Sequence, residues 1–292
     1  MIGIDAAMTA LAAALIAAAV ARLLLGVRLE APPVALMRVN VTGRHVPAVL
    51  GSPLVFGAMC GMFFVVAVGS TGWDAGRIGS MGLAVALLIV TLFVAGSIDD
   101  RRGDEPSRGF GGHLREARSG HLTGGLVKMA VGGLAGLGAG FLVADGRDAL
   151  EIALIVALTA NLVNLLDRAP GRAGKFSLLV SIVPVALAPP DWTVAAAGTL
   201  GGLGAVLGAD LSERGMLGDA GANPVGGVLG LGLAAAMDEP ARIGTIVALL
   251  ALNAASEKWS FSAVIQRTRP LAALDRLGRR PPDEEARRKT DM

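Results

Sequence analysis

The chain has 292 residues, of which 53% are apolar, 17% are charged and 41 are glycine. A soluble globular domain carries roughly 25% charged residues and a disordered chain is poor in apolar ones, so this composition argues against both. The single cysteine excludes a disulfide within the chain, and a net charge of +2 gives no indication of nucleic-acid binding. These numbers indicate a helical membrane protein rich in small residues, which let transmembrane helices approach closely.

Nine apolar stretches come close to the roughly 20 residues that a helix needs to cross a membrane. Their long, continuous apolar runs favour helices over strands, in which apolar and polar residues would alternate. We therefore predict an all-α, polytopic transmembrane bundle of about nine spans, nine to ten at most. The predicted spans are 3–25, 47–69, 78–98, 123–143, 149–166, 175–189, 192–209, 221–237 and 242–262.

The basic residues indicate the orientation of this bundle. The first span has Asp5 as its only early charge and its arginines follow the apolar run, which is typical of an uncleaved first helix with its N-terminus outside. With nine spans, 23 of the 26 Lys and Arg residues fall on the cytoplasmic side. We expect one integral-membrane domain over 1–270, and a charged cytoplasmic tail over 271–292 with the composition of a disordered segment.

The first of three polar clusters on the predicted inner side is the pair Asp99 and Asp100, directly after the third span. Two adjacent carboxylates at a helix C-terminus are disfavoured by the helix dipole and by each other. A divalent cation would relieve both effects. The alternative is a boundary charge cluster that Arg101 and Arg102 neutralise.

The second cluster lies at the inner end of the fifth span. Asn161, Asn164 and Asp167 share one helical stripe, because they follow each other at intervals of three residues. They could hold a polar ligand or form a hydrogen-bonded seam between helices. The loop that follows carries three cations that suit a phosphate, although positive-inside topology alone accounts for each of them: Arg168, Arg172 and Lys175.

The third cluster is the glycine-rich turn before the eighth span, in which Gly218 and Gly221 flank Asp219. Glycine lets the backbone approach a ligand and a helix N-terminus follows, although a simple turn is the alternative. Because all three clusters lie on one predicted side, we expect a single site at the membrane face. Its hard oxygen ligands suit Mg²⁺, or Mn²⁺ as the alternative ion, and Mg²⁺ usually works with phosphate.

These motifs, in this order, resemble those of the polyprenyl-phosphate N-acetylhexosamine-1-phosphate transferase superfamily, which contains the MraY-type and WecA-type enzymes of cell-envelope synthesis. Two further elements resemble it as well: the segment 40–47 between the first two spans, and Lys128 early in the fourth span. The resemblance covers about residues 40 to 226. Each motif is weak alone, and the set is fairly specific because the spans between the motifs also match.

The resemblance implies transfer of a sugar-1-phosphate from a UDP-sugar to an undecaprenyl or decaprenyl phosphate at the cytoplasmic face of the bacterial plasma membrane, releasing UMP. It implies catalytic roles for Asp99, Asp100 and Asp167, and metal binding by Asp219 together with Asp99 and Asp100. Members of the family are often dimers, so a homodimer is left open. The implied substrate-binding residues are Asn40, Lys128, Asn161, Asn164, Arg168, Arg172, Lys175, Gly218 and Gly221.

The chain departs from the family in the last inner loop, where its relatives carry a histidine-rich motif near the sugar. Its three histidines are His45, His113 and His121, and the corresponding region contains Glu257 and Lys258. We therefore expect a divergent branch whose sugar is open. Two other classes remain open: a catalytically silent membrane scaffold homologue, and a small-solute transporter, which would favour ionisable groups near mid-membrane.

Overall fold

Helices account for most of residues 3–69, 75–102 and 124–280, which are the residues that the computed structural model describes. The predicted all-α class is confirmed. The helices are α1 (Ile4–Glu30), α2 (Gly51–Gly69), α3 (Ala75–Arg102), α4 (Gly124–Val143), α5 (Gly146–Leu166), α6 (Arg172–Val180), α7 (Ile182–Leu187), α8 (Pro190–Leu211), α9 (Asp219–Ala235), α10 (Glu239–Lys258), α11 (Phe261–Arg267) and α12 (Arg269–Arg276).

Five segments of the described chain are long and apolar enough to cross a membrane: Ile4–Glu30, Gly51–Val68, Gly79–Arg102, Gly146–Leu166 and Pro190–Leu211. Helices also occupy the other four predicted spans, but they are shorter or more polar. The predicted span 175–189 is divided between α6 and α7, which are nine and six residues long. The division lies just before Pro184, which has no N–H to continue the helical hydrogen bonds.

The surface of α1 supports a membrane environment. Ile4, Met8 and Leu11 are each more than 60% exposed, and a row of large exposed apolar side chains indicates contact with lipid. The opposite side of α1 carries small buried residues that let it pack closely against α2 and α8: Ala10, Ala13, Ala17 and Ala21.

Helix α9 lies at the centre of the bundle, and all of its residues from 220 to 234 are buried. It packs against α3 and α5. Gly226 and Gly230, four residues apart, face α5 so closely that an added Cβ would lie 2.6 Å from the Cα of Ala160 and 2.8 Å from the Cα of Val156. Small residues at this spacing therefore bring two backbones together, as in many membrane helix pairs.

A short β-hairpin precedes α2 and was not predicted. A 3₁₀ turn (Val34–Leu36) leads into β1 (Met37–Val39), which pairs antiparallel with β2 (His45–Pro47). The backbone of Met216 then donates to the carbonyl of Pro47 at 2.9 Å and accepts from the amide of Leu50 at 3.1 Å. Because residues 45–50 are engaged in this pairing, α2 begins at Gly51 rather than at the predicted residue 47.

Helical structure extends past the predicted start of the tail at residue 271. Helix α12 crosses that boundary, and Ala272 and Asp275 on it are buried. The chain is described as far as residue 280. The remainder of the predicted tail, 281–292, lies outside the described residues, as does the inner loop with His113 and His121.

Candidate active site

The ends of α3 and α5 meet the start of α9, and we call this part of the molecule the acidic end. Asp100, in the last turn of α3, is buried, and its Oδ1 and Oδ2 accept hydrogen bonds of 2.9 Å from the amides of Asp219 and Ala220. A carboxylate is stabilised at a helix N-terminus, where amides lack helical partners. The repulsion expected within the Asp99–Asp100 pair is thus partly offset by α9.

Asp167, the C-cap of α5, also binds the turn before α9 that contains Gly218. Its Oδ2 accepts from the amide of Gly218 at 2.8 Å. Gly218 has φ +66°, and a Cβ there would lie 2.7 Å from Oδ2 of Asp100. Only glycine fits this position without strain. Three consecutive amides, those of residues 218 to 220, therefore donate to two carboxylates, Asp100 and Asp167.

The hairpin reinforces this arrangement. Arg38 of β1 donates to the main-chain carbonyl of Asp100, and also to that of Met37 at 2.8 Å. Ala48, just after β2, forms a parallel bridge with Met216. The hairpin therefore connects the end of α3 to the segment that leads into α9, although neither strand was anticipated from the sequence.

Asp210, in the last turn of α8, is a further carboxylate of the acidic end, in addition to the four predicted acids. It is 3% exposed and Asp167 is 4% exposed. Oδ1 of Asp167 and Oδ2 of Asp210 are buried without a hydrogen-bond partner. Burial raises the pKa of Asp167 well above 3.8 and the charge of Asp210 raises it further, while the hydrogen bond from Gly218 opposes the shift.

Sequence reasoning missed Asp210, although a signal was present. Asp210 directly follows the predicted span 192–209, as Asp99 follows the third span and Asp167 the fifth. A search for acids at the inner ends of all spans would have found it. It lacks the second acid or the amide stripe that drew attention to the other two clusters.

The two amides of the predicted second cluster differ in their surroundings. Nδ2 of Asn161 donates to Oδ1 of Asn253 at 2.6 Å, and Nδ2 of Asn253 donates to the carbonyl of Leu249 at 2.8 Å. Asn161 therefore takes part in a seam between α5 and α10, one of the two interpretations left open above. Asn164, one turn nearer to Asp167, is half-buried.

Two of the three predicted phosphate-binding cations are held by the chain itself. Arg172 is buried and donates from Nε and Nη2 to Oδ1 and Oδ2 of Asp275 at 2.8 and 3.0 Å. Nζ of Lys175 donates to the carbonyls of Leu274, Asp275 and Leu277 at 3.0, 2.7 and 2.9 Å. These contacts secure the C-terminal segment, so they do not support the predicted phosphate-binding role.

The pKa of Asp275 is lowered by the contacts that hold the C-terminal segment. Burial alone would raise its pKa, but the hydrogen bond from Arg172 and the positive charges of Arg172 and Arg279 hold it below 3.8. A bidentate arginine–carboxylate pair is among the stronger polar contacts in proteins. The partner of Arg172 lies 103 residues away along the chain, which is why a local pattern could not reveal it.

Asn40 occupies the hairpin turn, and both polar atoms of its side chain have hydrogen-bond partners. Its Oδ1 accepts from the amides of Thr42 and Arg44 at 2.9 and 3.1 Å, and its Nδ2 donates to Oε1 of Glu213 at 2.7 Å. Arg44 pairs with the same Glu213 at 3.1 Å. These contacts make Asn40 a residue that shapes the turn, and they do not themselves indicate a substrate contact.

Arg168 is exposed and borders two hollows. The smaller is a pocket of about 10 Å³ that Asp167 and Asp210 also line. The larger has a volume of about 240 Å³ and is lined by residues 256–262 together with Leu165. Trp259, 62% exposed, lies on this larger cavity. The cavity falls in the region where the resemblance would place the missing histidines.

The remaining predicted site residues are Asp99, Asp219, Gly221 and Lys128. Asp99 lies beside Asp100, and Asp219 is the first residue of α9; both are half-buried. Gly221 faces the backbone at Gly51, since an added Cβ would lie 2.9 Å from the Cα of Gly51. The side chain of Lys128 lies outside the described residues.

Comparison with known proteins adds no family assignment. No protein-family model matches the chain, and no curated protein matches it with significant similarity. The function must therefore be argued from the residues and their arrangement.

Proposed function

We propose that the chain is a Mg²⁺-dependent phosphoglycosyl transferase, which moves a sugar-1-phosphate from a UDP-sugar to a polyprenyl phosphate and releases UMP for cell-envelope glycan synthesis. The observation that carries the proposal is the meeting of Asp100, Asp167 and the amides of residues 218–220 at one end of an apolar bundle. A lipid acceptor and a water-soluble donor can meet only at such a boundary between membrane and water.

The proposal includes a topology. The chain would cross the bacterial plasma membrane nine times with its N-terminus outside, α6 and α7 together making the sixth crossing. The acidic end would then face the cytoplasm, where 23 of the 26 Lys and Arg residues gather. UDP-sugars are cytoplasmic, so the donor would be available at that face.

We propose different roles for the four predicted acids. Asp100 and Asp167 position the turn, because their oxygens accept from its three amides. Asp219 lies on that turn and Asp99 adjoins Asp100. We propose Asp99 and Asp219 as the carboxylates that hold Mg²⁺, and Asp100 and Asp167 as positioning residues.

The donor set fits Mg²⁺ with the diphosphate present. Among the described residues, no group of three or more His, Cys, Asp or Glu is arranged to hold a metal ion by itself. Mg²⁺ commonly takes one or two carboxylates and completes its shell with water and substrate phosphates. When bound, it would supply neutralisation of the charge that develops on the diphosphate during transfer.

The larger cavity is the proposed donor site. It adjoins the acidic end through Arg168, whose guanidinium can pair with phosphate oxygens. Trp259 offers an exposed ring, and Ser256, Ser260 and Ser262 offer hydroxyls for a sugar or base. About 240 Å³ accommodates part of a UDP-sugar, with the rest facing the solvent.

The test is UMP release by purified protein supplied with Mg²⁺, undecaprenyl phosphate and a panel of UDP-sugars. We expect release with at least one donor, and loss of about 100-fold or more for Asp99→Asn and Asp219→Asn. Glu151→Gln, a buried carboxylate remote from the acidic end, is the matched control and should retain activity. A folded protein that releases no UMP with any donor would overturn the proposal in favour of the scaffold or the transporter.

A further inference from the structure

Asp167 and Asp210 contain buried carboxylate oxygens that the proposed transfer reaction does not explain. Both are more than nine-tenths buried, and each keeps one carboxylate oxygen without a hydrogen-bond partner. Leaving such an oxygen unpaired costs the desolvation free energy of the group, which is larger when the group is charged. Buried oxygens of this kind are rare in native proteins and call for a ligand or another explanation.

The two residues line one small pocket between the ends of α5 and α8. Its volume of about 10 Å³ is close to that of a single water molecule or ion. Asp99, Asp100 and Asp219 do not line it. The pocket is therefore separate from the carboxylates proposed above to bind Mg²⁺ together with the diphosphate.

The other charged groups around the pocket are engaged elsewhere. Glu213 lines it but is paired with Arg44 at 3.1 Å and accepts from Asn40. The positive charges of Arg279 and Lys175 act on Asp210. However, Nη2 of Arg279 lies 2.5 Å from Oδ1 of Asp275, and Lys175 donates to three carbonyls of the C-terminal segment. Arg168 is exposed at the rim. None of these contacts reaches the two unpartnered oxygens.

We propose that Asp167 and Asp210 bind one hard divalent cation, Mg²⁺ or Mn²⁺, in this pocket without any substrate. The two carboxylates supply two ligands and a formal charge of −2, and water entering from the rim completes the coordination shell. The ion fastens the end of α5 to the end of α8. It thereby steadies Asp167, whose second oxygen accepts from the amide of Gly218.

Mn²⁺ is the probe, because its electron paramagnetic resonance signal distinguishes free from bound ion. Purified full-length protein is titrated with Mn²⁺ in the absence of nucleotide and lipid. We expect one ion per chain, competed by Mg²⁺. Asp210→Asn and Asp167→Asn should each weaken its binding by about 100-fold or more, since loss of an outer-shell partner alone costs 10–100-fold.

Controls separate this ion from the ion of the proposed transferase. Asp219→Asn should bind Mn²⁺ as the unaltered protein does, and so should Glu151→Gln. Each Asn variant is nearly isosteric and removes a buried charge, and its fold is checked by a melting temperature in EDTA. Mg²⁺ should raise that temperature in the unaltered protein but not in Asp210→Asn.

Two results overturn the inference. If no Mn²⁺ binds, the two carboxylates share a proton instead, and the transferase proposal is untouched. If Asp219→Asn abolishes binding while Asp210→Asn does not, the ion belongs to the turn that begins α9. Failure of the transferase would show itself separately, as absence of UMP release from a protein that still binds Mn²⁺ through Asp210.

Discussion

The two ends of the bundle compensate buried carboxylates in different ways. At the end formed by the start of α5 and of α10, which we call the arginine end, Glu151 is buried between two arginines. Arg242 Nε lies 2.9 Å from its Oε2, and Arg147 Nε lies 3.0 Å from its Oε1. At the acidic end, Asp167 and Asp210 are buried as deeply. One oxygen of each lacks a hydrogen bond, as does Oε1 of Glu151, but within the described residues no ion pair joins either aspartate to a cation.

The two ends differ in whether cations of the chain pair with the buried carboxylates. A buried charge is expensive unless the chain pairs it, and the arginine end shows that this chain can supply such pairs. The acidic end has cations nearby, but Arg172 and Lys175 are committed to the C-terminal segment. Asp167 and Asp210 therefore lack the ion pairs that Glu151 has, which is consistent with the ion proposed above.

The largest effect should come from Gly218→Ala. The residue has φ +66°, and its new Cβ would lie 2.7 Å from Oδ2 of Asp100, so the turn must move. Displacing a catalytic arrangement by about 1 Å can cost about 100-fold in rate. We expect at least that loss of UMP release, measured under donor saturation.

The control for Gly218→Ala is Gly208→Ala, since Gly208 lies on α8 with nothing within 4 Å of an added Cβ. This variant should release UMP at the normal rate, because alanine is tolerated in an exposed helical position. Full activity in Gly218→Ala would show that the turn before α9 has no part in transfer.

The second prediction concerns the C-terminal segment. Asp275→Ala leaves Arg172 buried without its bidentate partner, and breaking a buried pair in this way costs about 3–5 kcal/mol. We expect a lower melting temperature and faster proteolysis within 261–280. Asp275→Asn keeps one acceptor and should lose less.

The arginine end provides the comparison for Asp275→Ala. Glu239 pairs with Arg147 at 2.8 Å, but the two side chains are 50% and 67% exposed. Glu239→Ala should therefore cost less than about 1 kcal/mol, the usual value of a surface pair. Equal losses in the two variants would mean that Arg172 and Asp275 contribute no more than a solvated contact.

The positions of the helices could be predicted from the sequence, because uninterrupted apolar runs of span length leave few alternatives to a helix. The breaks inside such runs were harder to predict. Pro184 divides the predicted sixth span, although only one residue signals it. The hairpin went unpredicted because strands of three residues are too short to show a period, and because their pairing depends on Met216, far along the chain.

The site was predictable where chemistry and sequence position coincide. Asp100, Asp167 and the turn at Gly218 were selected because they terminate or begin spans, and the structure brings them together. Arg172 could not be judged in this way. Its charge and its place in a glycine-containing loop suit phosphate, but the deciding contact is with Asp275, which no local pattern reveals.

The smallest expected effect is a change in melting temperature. It best distinguishes the two ends, because removing a buried charge should change the melting temperature in opposite directions at the acidic end and at the arginine end. Asp167→Asn removes a buried carboxyl group whose pKa lies above 3.8, and the amide oxygen of the new asparagine can still accept from Gly218. Glu151→Gln removes the charge that pairs with Arg242. In EDTA, we expect Asp167→Asn to raise the melting temperature by roughly 2–4 °C and Glu151→Gln to lower it by a similar amount.

The effect of Asp167→Asn on the melting temperature should depend on pH, because burial raises the pKa of Asp167. Because the pKa of Asp167 is higher in the folded protein than in the unfolded chain, its stabilising contribution is full below about pH 3.8 and is lost as the pH rises through the folded-state value. The advantage of Asp167→Asn should therefore grow between pH 4 and pH 8. A melting temperature that falls in Asp167→Asn at pH 8 would mean that the protein itself compensates this carboxylate, and that the two ends do not differ.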